Sequence, residues 1–385
     1  MRITEVVLHD VELPLRHAFE TSSHRKSSLR HLLVEATGAD DAGRELTGWG
    51  EIASPAGPYY ASETTDSAWH TASTYLIPAV LGAEWEHPDE VSGLYGKVRG
   101  HWFAKAGVEM AAWDLWTTAE GVPLAQALGG TRETVTAGVS LGIEPGIDAL
   151  LEQVARHVES GYPRVKLKIA PAGQDGRPWD VEPVRAVREA YPDLDVHVDA
   201  NGAYPGSTEK GGPEAFEVFR QLDAFGLTMI EQPFAPRNLL DHAKLVKEIE
   251  TPICLDESVE TLDDLRTALA LDAGEVLNIK VSRMGGLSAA REAHALAHAA
   301  GWPVWCGGMH EFGIGRLANV AISSLPGFTL PSDVSASEKY YASDIIAPPV
   351  TADQGVVTVP TAPGLGHEVR REVIEQHTTR SQRFN

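Results

Sequence analysis

Cysteine is nearly missing from this chain, whose 385 residues include only Cys254 and Cys306. Both lie in apolar, strand-like runs, so no disulfide framework is expected, only two buried thiols in a reducing compartment. Basic residues are scarce too. Against 54 acidic residues stand 32 lysines and arginines, a formal net charge of −22. Such a surface repels phosphate backbones and anionic lipid, so neither nucleic acid nor membrane is an expected partner. An anionic substrate stays admissible, because a bound divalent metal reverses the local field. No uncharged run approaches the ~18–20 residues that a membrane helix needs. The first ten residues alternate polar and apolar without a signal-like hydrophobic stretch, and a cytoplasmic location is expected. Internal repeats and low-complexity tracts are absent. No Gly-rich phosphate turn follows the first strand-like run, and Gly313-Ile-Gly315 lacks the strand–turn–helix and acidic context of a dinucleotide fingerprint.

What is present divides into two grammars. Apolar residues make up 43% and charged residues 22% of a chain long enough for two domains. Residues 1–130 give alternating strands at 4–13 and 32–36 and one ending near Trp49. Helices follow at 66–81 and 107–120, predicting an α+β capping domain that the tail 351–385 returns to complete, with 377–385 frayed. Residues 131–350 alternate short apolar strands (135–140, 164–168, 195–199, 229–231, 253–256, 276–280, 304–307 and a weak one near Thr329) with amphipathic helices (146–160, 181–191, 213–222, 239–249, 261–270 and 287–300). Eight such strands, with helices between them, predict an α/β fold of the TIM-like barrel type.

The polar residues fall at one end of these strands. Asp199, Glu231 and Asp256 are spaced by about one strand–helix unit each, so a barrel brings them together at its C-terminal face. Taken singly, each is an ordinary helix cap or surface ion pair. Taken together they repel unless a cation lies among them, and all-oxygen ligation suits Mg²⁺, with Mn²⁺ as a substitute. Lys166 and Lys168 alternate on one strand and face the same side. Two ammonium groups that close should lower the pKa of one towards neutrality and make it a general base. Lys280 lies one unit past Asp256 and faces Lys168 across the carboxylates. The structural alternative is that basic strand ends merely neutralise the acids. The chemical reading is proton abstraction next to a carboxylate, giving an enediolate that is reprotonated (racemisation) or expels a β-leaving group (elimination).

Lys166-Leu-Lys168, Asp199-Ala-Asn201, Glu231-Gln-Pro233, Asp256-Glu-Ser258 and Asn278-Ile-Lys280 together resemble the enolase superfamily, in its muconate-lactonising subgroup. The resemblance covers nearly the whole chain. It implies a modified (β/α)7β barrel under an α+β cap, Mg²⁺ on Asp199, Glu231 and Asp256, an acid/base pair of Lys168 and Lys280, and support from Lys166. Trp305-Cys-Gly-Gly-Met-His-Glu-Phe-Gly-Ile-Gly-Arg316, Leu325-Pro-Gly-Phe-Thr-Leu-Pro-Ser-Asp333 and Ser335-Ala-Ser337 narrow it. With Ala104-Lys-Ala-Gly-Val-Glu-Met-Ala-Ala-Trp-Asp114 and Ala137-Gly-Val-Ser-Leu-Gly142, they look like the o-succinylbenzoate synthase/N-acylamino acid racemase family.

That family implies a small carboxylate substrate and a homo-oligomer. Asn201, Gly308, Met309, His310, Glu311 and Phe312 are candidate substrate contacts, with Phe19 and Tyr59 from loops over the barrel mouth. Tyr59 and Tyr60 either close an apolar acyl pocket or pack between domains. His310 and Phe312 depart from the family pattern of an aliphatic residue and a small hydroxyl residue, and are expected to alter pocket volume and polarity. Residues 171–178 and 207–212 read as added loop. The enzymatic alternative is a muconate-type cycloisomerase or another epimerase of the subgroup. A dipeptide epimerase is disfavoured because no Asp-x-Asp pair follows the last lysine strand. The non-enzymatic alternative is a metal-stabilised binding protein.

Overall fold

The computed structural model describes residues 1–20, 25–40, 43–173 and 176–385, with side chains at all of these except 18–20, 25 and 26. Four antiparallel strands form the first sheet, in the order Thr378–Phe384, Arg2–Glu20, Arg25–Ala39, Glu45–Ile52. Their alternation buries Ile3, Val6, Leu8, Leu32, Val34 and Ile52 against Phe103, Val108 and Leu115 of the helix Trp102–Glu120. The contact is close because Gly50 lacks a side chain: a Cβ there would lie 1.9 Å from the Gly107 carbonyl oxygen. The single helix expected over 66–81 is three pieces, Thr65–Thr71, a π turn at Ala72–Leu76, and Ile77–Val80. Pro78 has no N–H to give to an i−4 carbonyl, and the hydrogen-bond register shifts beside it.

Seven parallel strands follow in chain order: Val139–Leu141, Arg164–Lys168, Asp195–Asp199, Ile230–Glu231, Ile253–Leu255, Val276–Ile279 and Val304–Cys306. Helices alternate with them and turn one apolar face inward, as Val184 and Val187 do on Val181–Ala190, and Leu265 and Ala268 on Leu262–Leu271. Chain order in the sheet is what right-handed strand–helix–strand crossovers produce.

Four sequence expectations need correction. The strand expected at 135–140 splits: Thr134–Thr136 pairs with Val356–Thr358, and only Val139–Leu141 joins the barrel. The weak eighth strand near Thr329 is an extended segment. It touches both edges of the sheet, through Phe328 beside Val304 and Ser332 beside Ala137, and so closes the ring. Pro326 and Pro331 withhold two ladder N–H groups and keep it from becoming a full strand. The tail does not fray, because Thr378–Phe384 is zipped to Arg2–Glu20, with Arg380 paired to Asp10 and Arg383 to Glu5. Finally, Gly313-Ile-Gly315 does follow a strand and open a helix, Gly313–Ser323.

Candidate active site

Strand register assembles the charged residues. Lys168 lies beside Asp199, and Asp199 beside Glu231. Asp256 and Lys280 each follow the last residues of their own strands, and three strands separate that of Lys168 from that of Lys280. These five side chains, and that of Lys166, are buried.

Each ammonium is fastened to an acid. Lys168 Nζ donates to Asp199 Oδ2 (2.5 Å) and Asn201 Oδ1 (2.7 Å). Lys166 Nζ lies 3.1 Å from Glu231, 3.0 Å from Asp333 and 3.7 Å from Asp199, and 4.5 Å over the Trp305 ring. Lys280 Nζ donates to Asp256 Oδ2 at 2.8 Å, and Arg283 and the Tyr60 hydroxyl hold the other oxygen. Asn278 donates to Glu231 Oε1 at 2.6 Å. Asn201 takes a left-handed φ of 46°, which asparagine tolerates, and its N–H reaches Asp199 Oδ1 while its amide reaches Glu257.

The titration behaviour follows from these contacts. Burial pushes the Asp199 carboxyl up, but Lys168 and Lys166 outweigh it and hold the group below the ordinary range. Lys280 and Arg283 do the same for Asp256. Glu231 is pushed up to about 8 by burial and by the charges of Asp199 and Asp256. The expectation that the paired lysines drive one towards neutrality fails for Lys166. Burial lowers it, but Asp333, Glu231 and Asp199 together raise it well above a free lysine. Burial lowers Lys280 too, but Asp256 more than offsets it and holds the amine above the ordinary lysine range in this arrangement.

Asp199, Glu231 and Asp256 suit Mg²⁺ chemically. They are three buried carboxylates at adjacent strand ends, and a divalent ion among them would offset the cost of holding them ionised away from water. In the arrangement seen, the ammonium groups occupy oxygens of these acids, and among the described residues no group of three or more acids, imidazoles or thiols is closed around one point.

Above the acids lies a cavity of about 300 Å³, lined by Lys166, Lys168, Lys280, Asn201, Gly308, Met309, His310, Glu311 and Tyr59, all named from the sequence. Glu311 Oε2 accepts from Met309 N, while its Oε1 has no partner among the described residues. His310 stacks on Tyr340 at 5.0 Å. Two other sequence candidates fall elsewhere. Phe312 is fully buried against His31 and Tyr341 and does not line the cavity, because its backbone starts a helix there. The Phe19 side chain lies outside the described residues.

Tyr60, expected with Tyr59 either to close an apolar acyl pocket or to pack between domains, instead places its hydroxyl between Asp256 (2.9 Å) and Lys280 (3.0 Å). Four residues were missed: Arg283, Asn278, Asp333 and Ser140, which donates to Asp333. Asn278 carried a usable signal, since it alternates with Lys280 on the same strand. Buried amines, acids and a small cavity can bind a carboxylate and move a proton beside it.

Residues 3–129 match the family model described as "Mandelate racemase / muconate lactonizing enzyme, N-terminal domain", and residues 149–373 that described as "Enolase C-terminal domain-like". An o-succinylbenzoate synthase of Geobacillus kaustophilus is 41% identical over 385 residues, covering 100% of this chain and 98% of its own. An N-succinylamino acid racemase of an Amycolatopsis species is 44% identical over 380 residues, covering 98% of each. The solved structure of an enolase-superfamily member from Listeria innocua Clip11262 shares the fold with a TM-score of 0.91 and 35% identity, over 100% of this chain and 99% of that one.

Proposed function

The chain belongs to the enolase superfamily, in its muconate-lactonising branch, and we propose that it removes the proton α to a substrate carboxylate, as an o-succinylbenzoate synthase, an N-acylamino acid racemase or both. The observation that carries this is the disposition of the lysines. Lys168 and Lys280 flank the acids from strands on opposite sides of one cavity, and binding alone does not need an amine on each side.

Asp199, Glu231 and Asp256 are the residues that would hold Mg²⁺, and the bound ion would supply positive charge to the substrate carboxylate. The chain's own groups do the rest. One of Lys168 and Lys280 accepts the α-proton and the other donates from the opposite face, which inverts the centre. Where the substrate carries a β-hydroxyl, the ammonium formed in the same first step returns its proton to that oxygen as the Cβ–O bond breaks, and water leaves. Lys166, fixed between Glu231 and Asp333, is a permanent cation facing the enediolate charge. Asn201 orients Lys168, and Tyr60 orients Lys280. The cavity volume suits one small carboxylate.

Incubation with Mg²⁺ in deuterated water tests the reading, with N-succinylamino acids and the succinyl-substituted cyclohexadiene carboxylate in parallel. Deuterium at Cα or formation of the aromatic product is expected. Absence of both, across all these carboxylates, would leave a binding protein.

A further inference from the structure

Gly313-Ile-Gly315 opens the helix Gly313–Ser323, and its surroundings show what it does. The first N–H groups of a helix have no partner inside it. At the helix Gly313–Ser323 they are taken by two buried carboxylates. Phe312 N donates to Glu51 Oε1 and Gly315 N to Glu51 Oε2, both at 2.8 Å, and Gly313 N donates to Asp344 at 2.8 Å. Glu51 comes from the far side of the molecule's domain divide, near the end of the strand Glu45–Ile52. On the neighbouring strand His31 Nδ1 meets Glu51 Oε1 at 2.7 Å, and the His31 ring packs on Phe312 with centroids 4.6 Å apart. A Cβ on residue 315 would lie 3.0 Å from Glu51 Oε2 and 2.8 Å from Glu311 Cγ. Glycine is what lets the carboxylate close on the helix.

We propose that Glu51, backed by His31, is a positioning residue for the loop Gly308–Phe312. The N-terminal sheet thereby sets the shape of the cavity wall formed by Gly308, Met309, His310 and Glu311, besides covering the barrel mouth. Lys168 bonds Asp199 and Asn201, and Lys280 bonds Asp256 and Tyr60 and meets the loop only through Met309 Sδ at 4.0 Å, so Glu51 acts on substrate fit more than on proton transfer. Only the choice of substrate in the test rests on the function proposed above.

Glu109 provides the comparison. It too is a buried carboxylate reaching across to a barrel helix, where it accepts from Leu287 N and Ser288 N, but on a different strand–helix unit. Amide hydrogen exchange of the full-length protein, of Glu51→Gln and of Glu109→Gln separates local positioning from general loosening. A glutamine has one acceptor oxygen and sets its NH2 against an N–H. Glu51→Gln should speed exchange at 308–316 by about ten-fold and leave 286–290 unchanged, with the reverse for Glu109→Gln. With an N-succinylamino acid and Mg²⁺, Glu51→Gln should raise KM about ten-fold and change kcat by less than about three-fold, while Glu109→Gln leaves KM unchanged.

Unchanged exchange at 308–316, or equal loosening of both segments in either variant, would overturn the proposal, as would equal KM changes in the two. Should Glu51→Gln not fold, Gly315→Ala carries the same predictions through its added methyl. A wild type that turns over no carboxylate would defeat the functional reading alone, because the exchange result still decides the positioning role.

Discussion

Lys166 and Lys168 lie one alternation apart on the same strand, yet their partners separate their roles. Lys168 bonds Asp199 and Asn201 at the cavity floor, whereas Lys166 is wedged between Glu231 and Asp333. Removing one partner of a buried ion pair leaves the other uncompensated, at a cost of about 3–5 kcal/mol. Lys166→Ala should therefore lose about that much stability in urea unfolding, and lose proton exchange as well. A second residue gives a pH signature away from the site. Asp114 accepts from Trp49 N and Leu365 N, and burial pushes its carboxyl up to about 6 from 3.8. A carboxyl raised in the folded state contributes its stability fully below pH 3.8 and loses it as pH rises through 6. The stability advantage of the wild type over Asp114→Asn should therefore shrink between pH 4 and pH 7 by up to about 3 kcal/mol. Thermal melts of the pair across that range check this, and a constant difference would refute it.

At the scale of elements, what could be read from the chain was what repeats. Strands ending in Lys168, Asp199 and Glu231 are legible because apolar runs of constant spacing each close on one polar residue. The irregular elements were not. The segment closing the ring forms single bridges where a strand would form a ladder, and the sequence shows only prolines. Arg283 and Asp333 act through partners set by the fold: Arg283 leaves a turn to reach Asp256, and Asp333 meets Lys166 from the end of the segment that closes the ring. Phe312 read as a cavity residue because its neighbours are, but helix initiation turned it inward. The last strand is an equally long-range event, pairing Phe384 with Val6. Cross-strand pairs are worth roughly 0.2–1 kcal/mol each. Truncation after His377 should lower the melting temperature by several degrees, equivalent to about 1–4 kcal/mol. Activity at 25 °C should be retained, since none of these residues lines the cavity.

For the whole molecule, an acidic surface and a site of buried opposed charges are compatible because the site balances itself locally. A divalent ion that binds only the folded protein adds stability by mass action, about 2.7 kcal/mol at a hundred times its Kd. Mg²⁺ should therefore raise the melting temperature and EDTA reverse it, and Asp256→Asn should abolish most of the rise. An unchanged melting temperature with Mg²⁺ would remove the ion from the account. The central claim is that Lys168 and Lys280 work opposite faces of one carbon. Deuterium exchange of each separate enantiomer of an N-succinylamino acid by Lys168→Ala and Lys280→Ala tests it most directly. Each variant should keep exchange of one enantiomer and lose the other by about 10²–10⁴-fold, and the enantiomer kept should differ between them. Loss of both enantiomers in step, or exchange persisting when both lysines are replaced together, would contradict it.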